Sequence, residues 1–62
     1  MVNIYTVSIE TEVEEDGMWI AEVGSTTVNY RVAAYGKTEK EAIYNALVRM
    51  AEAMKSDLVA GY

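Results

Sequence analysis

The most constraining feature of this sequence is the passage from an apolar strand pattern through Gly36 into a helix start. Thr38 and Glu41 stand at the spacing of a capping box, in which each side chain hydrogen-bonds a backbone N–H near the other residue. These bonds satisfy donors that the first turn of a helix otherwise leaves unpaired. The sequence therefore predicts a helix that begins at about Glu39, directly after a strand.

Alternation of apolar and polar side chains predicts three strands before this helix. The predicted strands cover residues 5–13, 18–23 and 27–35. Turn-forming residues separate them at 15–17 and 24–26, where Asp, Gly, Ser and Thr favour tight reversals of the chain. Two successive hairpins predict an antiparallel three-stranded sheet.

The helical pattern runs over residues 39–55 and carries an apolar stripe that is expected to pack on one sheet face. The stripe contains Ile43, Ala46, Leu47, Met50 and Met54. After it, the run Leu58, Val59 and Ala60 predicts a short C-terminal strand, parallel to its neighbour through a right-handed crossover. The expected fold class is α+β in the order β-β-β-α-β, as one domain over residues 1–62 with one helix packed on one face of the sheet.

The composition excludes several classes of site. A chain of 62 residues buries only about 60% of its unfolded surface and is marginally stable by itself. It has no Cys and no His, which excludes disulfides and removes the commonest zinc ligand and general base. We therefore expect no enzyme activity, no catalytic residue, no metal and no cofactor. No apolar run approaches the ~20 residues of a membrane span, which favours a soluble cytoplasmic protein.

Self-association is the remaining means of reinforcing so small a core. The second predicted strand is apolar on both faces, with Met18 and Ile20 on the side opposite Trp19. Tyr44 and Val48 lie four residues apart on the flank of the helix stripe. We therefore expect a dimer or higher oligomer through Met18 and Ile20, through a sheet edge, or through Tyr44 and Val48.

The net charge of −5 is unevenly distributed, because no Lys or Arg precedes Arg31. The acidic residues of that half are Glu10, Glu12, Glu14, Glu15, Asp16 and Glu22. Such a negative field repels nucleic acid and favours either a basic partner or simple solubility. We take Glu10, Glu12 and Glu14 as the candidate acidic partner surface and expect no direct binding of nucleic acid or membrane.

Two segments together resemble the N-terminal domain of HicB-like antitoxins and their stand-alone relatives. That family has a strand ending in aromatic, x, Ala, x, Val, followed later by Gly, x, Thr, x, x, Glu, Ala at the start of the helix. The matching residues here are Trp19, Ala21 and Val23, then Gly36, Thr38, Glu41 and Ala42. The resemblance spans nearly the whole chain and implies a truncated ribonuclease H-like fold with the element order given above.

The resemblance also implies a function. In two-component members this domain occludes a small basic toxin that cleaves RNA, and a separate C-terminal domain binds operator DNA. We expect a single HicB-like domain with no C-terminal DNA-binding domain. The loop after Val23 departs from the family, since Gly24, Ser25, Thr26 and Thr27 replace its usual proline-containing turn. Two functions stay open with nearly equal weight: a toxin-neutralising protein-binding module, and an orphan homo-oligomeric structural or regulatory protein with no toxin partner.

A ribonuclease H-like fold raises the question of a two-metal nuclease, which needs carboxylates that converge from several elements. The candidates are Glu10, Glu41 or Glu52, and Asp57. Glu10 lies on the polar face of its strand and Glu52 on the polar face of the helix. We therefore expect these carboxylates not to converge on one site.

Overall fold

Three antiparallel strands and one long helix form the part of the chain that the structure describes. The computed structural model describes residues 1–25 and 30–59. Strands β1 (Ser8–Val13), β2 (Trp19–Ser25) and β3 (Tyr30–Gly36) lie in the order β1-β2-β3, and helix α1 spans Glu39–Val59. Both pairs of neighbouring strands are antiparallel. The predicted α+β arrangement of a three-stranded antiparallel sheet followed by one helix is confirmed.

The turn between β1 and β2 is held by three hydrogen bonds between residues close in sequence. Gly17 has a φ of 87°, a left-handed conformation that glycine adopts without steric cost. Its N–H donates to the Glu14 carbonyl at 2.9 Å, and the Met18 N–H donates to Asp16 Oδ1 at 2.9 Å. The Glu14 N–H donates to the Met18 carbonyl at 2.7 Å and closes the hairpin. The turn predicted at residues 15–17 is therefore confirmed.

The core lies between α1 and one face of β2 and β3. Alternate strand residues point toward the helix. Helix residues spaced by four pack against them, because those positions share one face of the helix. The buried core consists of Ala21, Val23, Ala34, Ala42, Ala46 and Met50. Trp19, Tyr30, Val32 and Ile43 pack against it while remaining partly exposed. Among the described residues, four of the six in the buried core are alanines, so the helix backbone lies close to the sheet.

The helix covers β2 and β3 and contacts β1 little. Leu47 and Met54, which were expected inside the stripe, are 42% and 43% exposed, so that expectation is wrong. The line of closest approach runs through Ala42, Ala46 and Met50, because small side chains permit it. On the same side of the sheet, Ile9 and Val13 of β1 are 45% and 52% exposed, since no helix lies above them.

Several strand bounds differ from the predicted ones. The first strand begins at Ser8, opposite Gly24 of β2 and three residues later than expected. Gly24 and Ser25 were expected in a turn but pair with β3 and extend β2. Thr26 and the predicted strand residues 27–29 lie outside the described residues. The third strand continues one residue beyond its predicted end, to Gly36.

The predicted C-terminal strand is wrong for Leu58 and Val59, which lie in α1, and Ala60 lies outside the described residues. The helix also extends beyond its predicted end at residue 55. Ser56 and Asp57 lower helix propensity only slightly, and no Gly or Pro interrupts the helix before Val59. The Tyr30 hydroxyl donates to the Asp57 carboxylate and ties this last part of the helix to β3.

The capping box at the start of α1 is confirmed. The Glu41 N–H donates to Thr38 Oγ1 at 3.1 Å, and Glu41 Oε1 accepts from the Lys37 N–H at 2.9 Å. The Ala42 N–H donates to the Thr38 carbonyl at 3.0 Å as the first helical bond. Two donors of the first turn, the Glu41 and Ala42 N–H groups, are thus paired within the protein.

Replacing the capping hydroxyl tests this helix start. We expect Thr38→Ala to lower the free energy of unfolding by about 1 kcal/mol, because the Glu41 N–H loses its acceptor. Urea unfolding followed by far-ultraviolet circular dichroism measures the loss. Thr38→Ser keeps the hydroxyl and is expected to retain most of the stability. An equal loss in both variants would show that the hydroxyl is not what stabilises the helix.

Candidate functional site

The sheet face that points away from α1, here called the outer face, has no layer packed on it in the described structure. Because Ala21 and Val23 point toward the helix, their neighbours Ile20 and Glu22 point away from it. The strand register places further residues beside them on the same face. The outer face consists of Ser8, Glu10, Glu12, Ile20, Glu22, Gly24, Arg31, Ala33 and Tyr35.

The outer face carries excess negative charge. Glu10 lies directly opposite Glu22, an unfavourable placement for like charges on neighbouring strands. The Arg31 guanidinium pairs with the Glu22 carboxylate and offsets one of these charges. In the part of the chain that the structure describes, this is the only ion pair, so Glu10 and Glu12 have no cationic partner there. Their negative charge is available to a ligand or partner.

Ile20 and Tyr35 lie side by side on β2 and β3 and form an apolar strip next to these carboxylates. Glu12 lies beside Ile20 on β1. Ile20 is half-buried, while Tyr35 is exposed. A shallow depression of about 280 Å³ is lined by Glu10, Thr11, Glu12, Glu14, Ile20 and Glu22. The structure therefore brings the three carboxylates of the candidate acidic surface, Glu10, Glu12 and Glu14, around one depression.

The candidate interface residues do not form one surface. Ile20 lies on the outer face, and the half-buried Met18 immediately precedes β2. Tyr44 and Val48 are exposed on α1, with the helix and the sheet between them and Ile20. A partner that covers Ile20 therefore cannot also cover Tyr44. The two pairs would serve two separate contacts.

The outward edge of β1 has unpaired backbone groups. Since Glu14 bonds to Met18, the hydrogen-bonded pairs of this antiparallel ladder recur every second residue from there. They are Glu12 with Ile20, Glu10 with Glu22, and Ser8 with Gly24. The N–H and C=O groups of the intervening residues Ile9, Thr11 and Val13 therefore point away from β2. No strand of the described structure pairs with them.

The opposite edge, on β3, is covered by side chains of the helix. Asn45 Nδ2 donates to the Tyr35 carbonyl and Arg49 Nη1 donates to the Ala33 carbonyl, each at 2.8 Å. No role was predicted for Asn45 and Arg49 from the sequence. Their spacing of four residues, matched to two outward carbonyls two residues apart on a strand, is the signal that could have indicated it.

The carboxylates considered for a nuclease site lie apart. Glu10 is on the outer face, whereas Glu41 accepts from the Lys37 N–H and Asp57 accepts from the Tyr30 hydroxyl on the helix side. Within residues 1–25 and 30–59, no three Asp or Glu side chains are placed to hold a metal ion. The same residues contain no helix that is both long and apolar enough to cross a membrane.

No protein-family model matches this chain, and comparisons with curated proteins and with solved structures gave no significant match. Function is therefore inferred from the fold and from the placement of its charged, apolar and unpaired groups.

Proposed function

We propose that this chain is a cytoplasmic, non-enzymatic protein-binding module that holds a small basic protein on the outer face of its sheet. The observation that carries the proposal is the depression where Glu10, Glu12 and Glu14 surround the half-buried Ile20. Lys and Arg side chains fit such a surface, because their aliphatic stems cover apolar groups while their cationic ends reach carboxylates. Electrostatic attraction also speeds the encounter with a basic partner.

The resemblance of residues 16–23 and 32–43 to HicB-like antitoxins suggests the class of partner, a small basic toxin that cleaves RNA. The proposed role is to cover the basic surface with which such a toxin holds RNA. The unpaired carboxylates on the outer face resemble a phosphate backbone in charge, which supports this role. The same charge disfavours direct binding of nucleic acid by this chain.

Co-expression tests the proposal directly. A small basic protein encoded next to this gene is expected to slow growth when expressed alone, and co-expression of this chain is expected to restore growth. The two proteins should co-purify. If they purify separately and growth is not restored, the antitoxin function is wrong.

Charge removal on the outer face tests the binding surface. With the co-purifying protein as probe, the double variant Glu10→Gln, Glu12→Gln is expected to raise the dissociation constant about tenfold or more, because two carboxylates lose their cationic partners. Isothermal titration calorimetry measures the change. Glu52→Gln removes one charge from an exposed position of α1 and serves as the control. Because the control removes one charge and the double variant two, weakening by the control of half that size on a logarithmic scale would mean that net charge, and not the outer face, decides binding.

The second candidate function is an orphan homo-oligomer that has no toxin partner. Ile9, Val13, Leu47 and Met54 are all exposed apolar side chains on the helix side of the sheet. Their exposure in a chain with so small a core favours a contact between copies. An assembly that forms without any second protein, together with failure of the co-expression test, would favour this function.

A further inference from the structure

We infer that two copies of this chain pair edge to edge through residues 5–13, around a two-fold axis at Ile9, and form a continuous six-stranded antiparallel sheet. This inference concerns the β1 edge and does not rest on the proposed function of the outer face. It can be correct whether or not a basic partner exists.

The outward edge of β1 carries a regular pattern of unpaired backbone groups. Ile9, Thr11 and Val13 direct their N–H and C=O groups outward from β1, where the described structure offers them no strand. An exposed strand edge of this kind is a template for another strand. At the other side of the sheet, Asn45 and Arg49 already bind outward carbonyls of β3. The β1 edge is therefore the site for strand addition.

The segment of residues 5–13 is complementary to itself in an antiparallel pairing. When Ile9 lies opposite Ile9 of the second copy, every apolar or hydroxyl residue on the helix side meets another such residue. On the outer face, each carboxylate meets a hydroxyl. The resulting pairs are Tyr5 with Val13, Val7 with Thr11, Thr6 with Glu12, and Ser8 with Glu10. A two-fold contact requires such self-complementarity, because the same surface serves both copies.

Shifting the register makes the pairing worse. Two residues in one direction place Glu10 opposite Glu10 of the second copy, and four residues place Glu10 opposite Glu12. Like charges directly opposite each other destabilise a sheet. A shift of two residues in the other direction brings Asn3 opposite Val13 on the apolar side and Ile4 opposite Glu12. The register at Ile9 avoids all of these conflicts.

The segment before β1 also favours the pairing. Tyr5 and Val7 continue the alternation of the strand, yet they lie outside it and are 60% and 52% exposed. In the β1–β2 register Val7 falls opposite Ser25, the last described residue of β2, and its outward side stays open in the described residues. In the paired sheet these two residues lie beside Val13 and Thr11 of the second copy. The pairing thus gives this strand-like segment a partner.

The position of α1 above β2 and β3 also favours the pairing. A helix about 10 Å wide covers about two strands spaced 4.8 Å apart, and α1 covers β2 and β3. Asn45 and Arg49 lean toward the β3 edge, so the opposite flank of α1, with Leu47 and Met54, faces the β1 side. Joining two β1 strands places Ile9 beside Ile9 of the second copy, and Val13 beside Tyr5 of the second copy, between the two helices. Apolar side chains that one copy leaves exposed then contact apolar side chains of the second copy.

A proline substitution tests the pairing. Val7→Pro removes an N–H that the second copy would bind, and it does so outside β1, so the fold of one copy should be unchanged. Each dimer loses two such bonds and leaves two Thr11 carbonyls unpaired. We expect the dissociation constant of the dimer to rise about 100-fold in sedimentation equilibrium, with unchanged circular dichroism. Val2→Pro, outside the paired segment, is expected to dimerise like the original chain.

A monomer for the original chain at about 100 μM would overturn the inference, and so would a Val7→Pro dimer as tight as the Val2→Pro dimer. Single cysteines test the register, since the chain contains none. Ile9→Cys is expected to form an intermolecular disulfide in a glutathione redox buffer. Thr11→Cys is not, because its mate lies about 13 Å away along the strand. Cross-linking of Thr11→Cys at an equal rate, or of neither variant, would overturn the proposed pairing.

Discussion

Replacing Gly36 with alanine is expected to lower the free energy of unfolding by about 3 kcal/mol or more, a large share of the roughly 3–9 kcal/mol typical of a domain this size. A Cβ on Gly36 would overlap the Ala42 backbone nitrogen and lie 2.8 Å from the Glu41 carbonyl carbon and 2.9 Å from the Ala42 Cα. These are backbone atoms of the capped first turn, held by the bonds of Thr38. They cannot move aside without breaking the helix start or separating α1 from the sheet.

Urea unfolding, followed by circular dichroism and by the fluorescence of Trp19, measures this loss. Gly24→Ala is the matched control, because the nearest atom to its Cβ is Arg31 Nη1 at 3.2 Å, the far end of a flexible side chain. That variant is expected to stay within about 1 kcal/mol of the original chain. Equal losses at the two positions would show that the close approach at Gly36 is not limiting.

The second large effect is expected from Ala46→Leu. Ala46 is fully buried where α1 meets the alanines of the sheet, so three added carbons have no space. Overpacking of this kind costs about 2–3 kcal/mol, which corresponds to a loss of about 10 °C or more in Tm for a domain of this length.

Thermal unfolding by circular dichroism measures this Tm. Ala51→Leu makes the same chemical change at an exposed position of the same helix, and its Tm is expected to change little. If Ala46→Leu retains the Tm of the original chain, the close contact between helix and sheet does not limit the size of this side chain.

Local signals predicted those parts of the fold that depend on local chemistry. The capping pair Thr38 and Glu41 marked the helix start, and Asp16 with Gly17 marked the hairpin, because their bonds join residues a few positions apart. The end of α1 was predicted wrongly, since Ser56 and Asp57 are weak signals that a contact from Tyr30 can override. Helix boundaries of this kind depend on the tertiary fold.

The candidate acidic surface was predictable in part. Glu10, Glu12 and Glu14 share a strand face by simple alternation, but the pairing with β2 was needed to place Ile20 and Glu22 beside them. The lateral position of α1 was not predictable from its apolar pattern, because Leu47 and Ala46 both belong to that pattern and only packing decides between them. The role of Asn45 and Arg49 depended on that position and was therefore missed.

The two hydrogen bonds from α1 to the β3 edge also limit how many copies can join. A sheet grows into an endless fibre only when each copy offers two open edges, one for each neighbour. Here Asn45 and Arg49 occupy outward carbonyls of one edge, while the other edge is complementary to itself. Addition of one copy therefore consumes the open edge of both, and growth stops at two. Helix α1 therefore protects the β3 edge against edge-to-edge pairing with further copies.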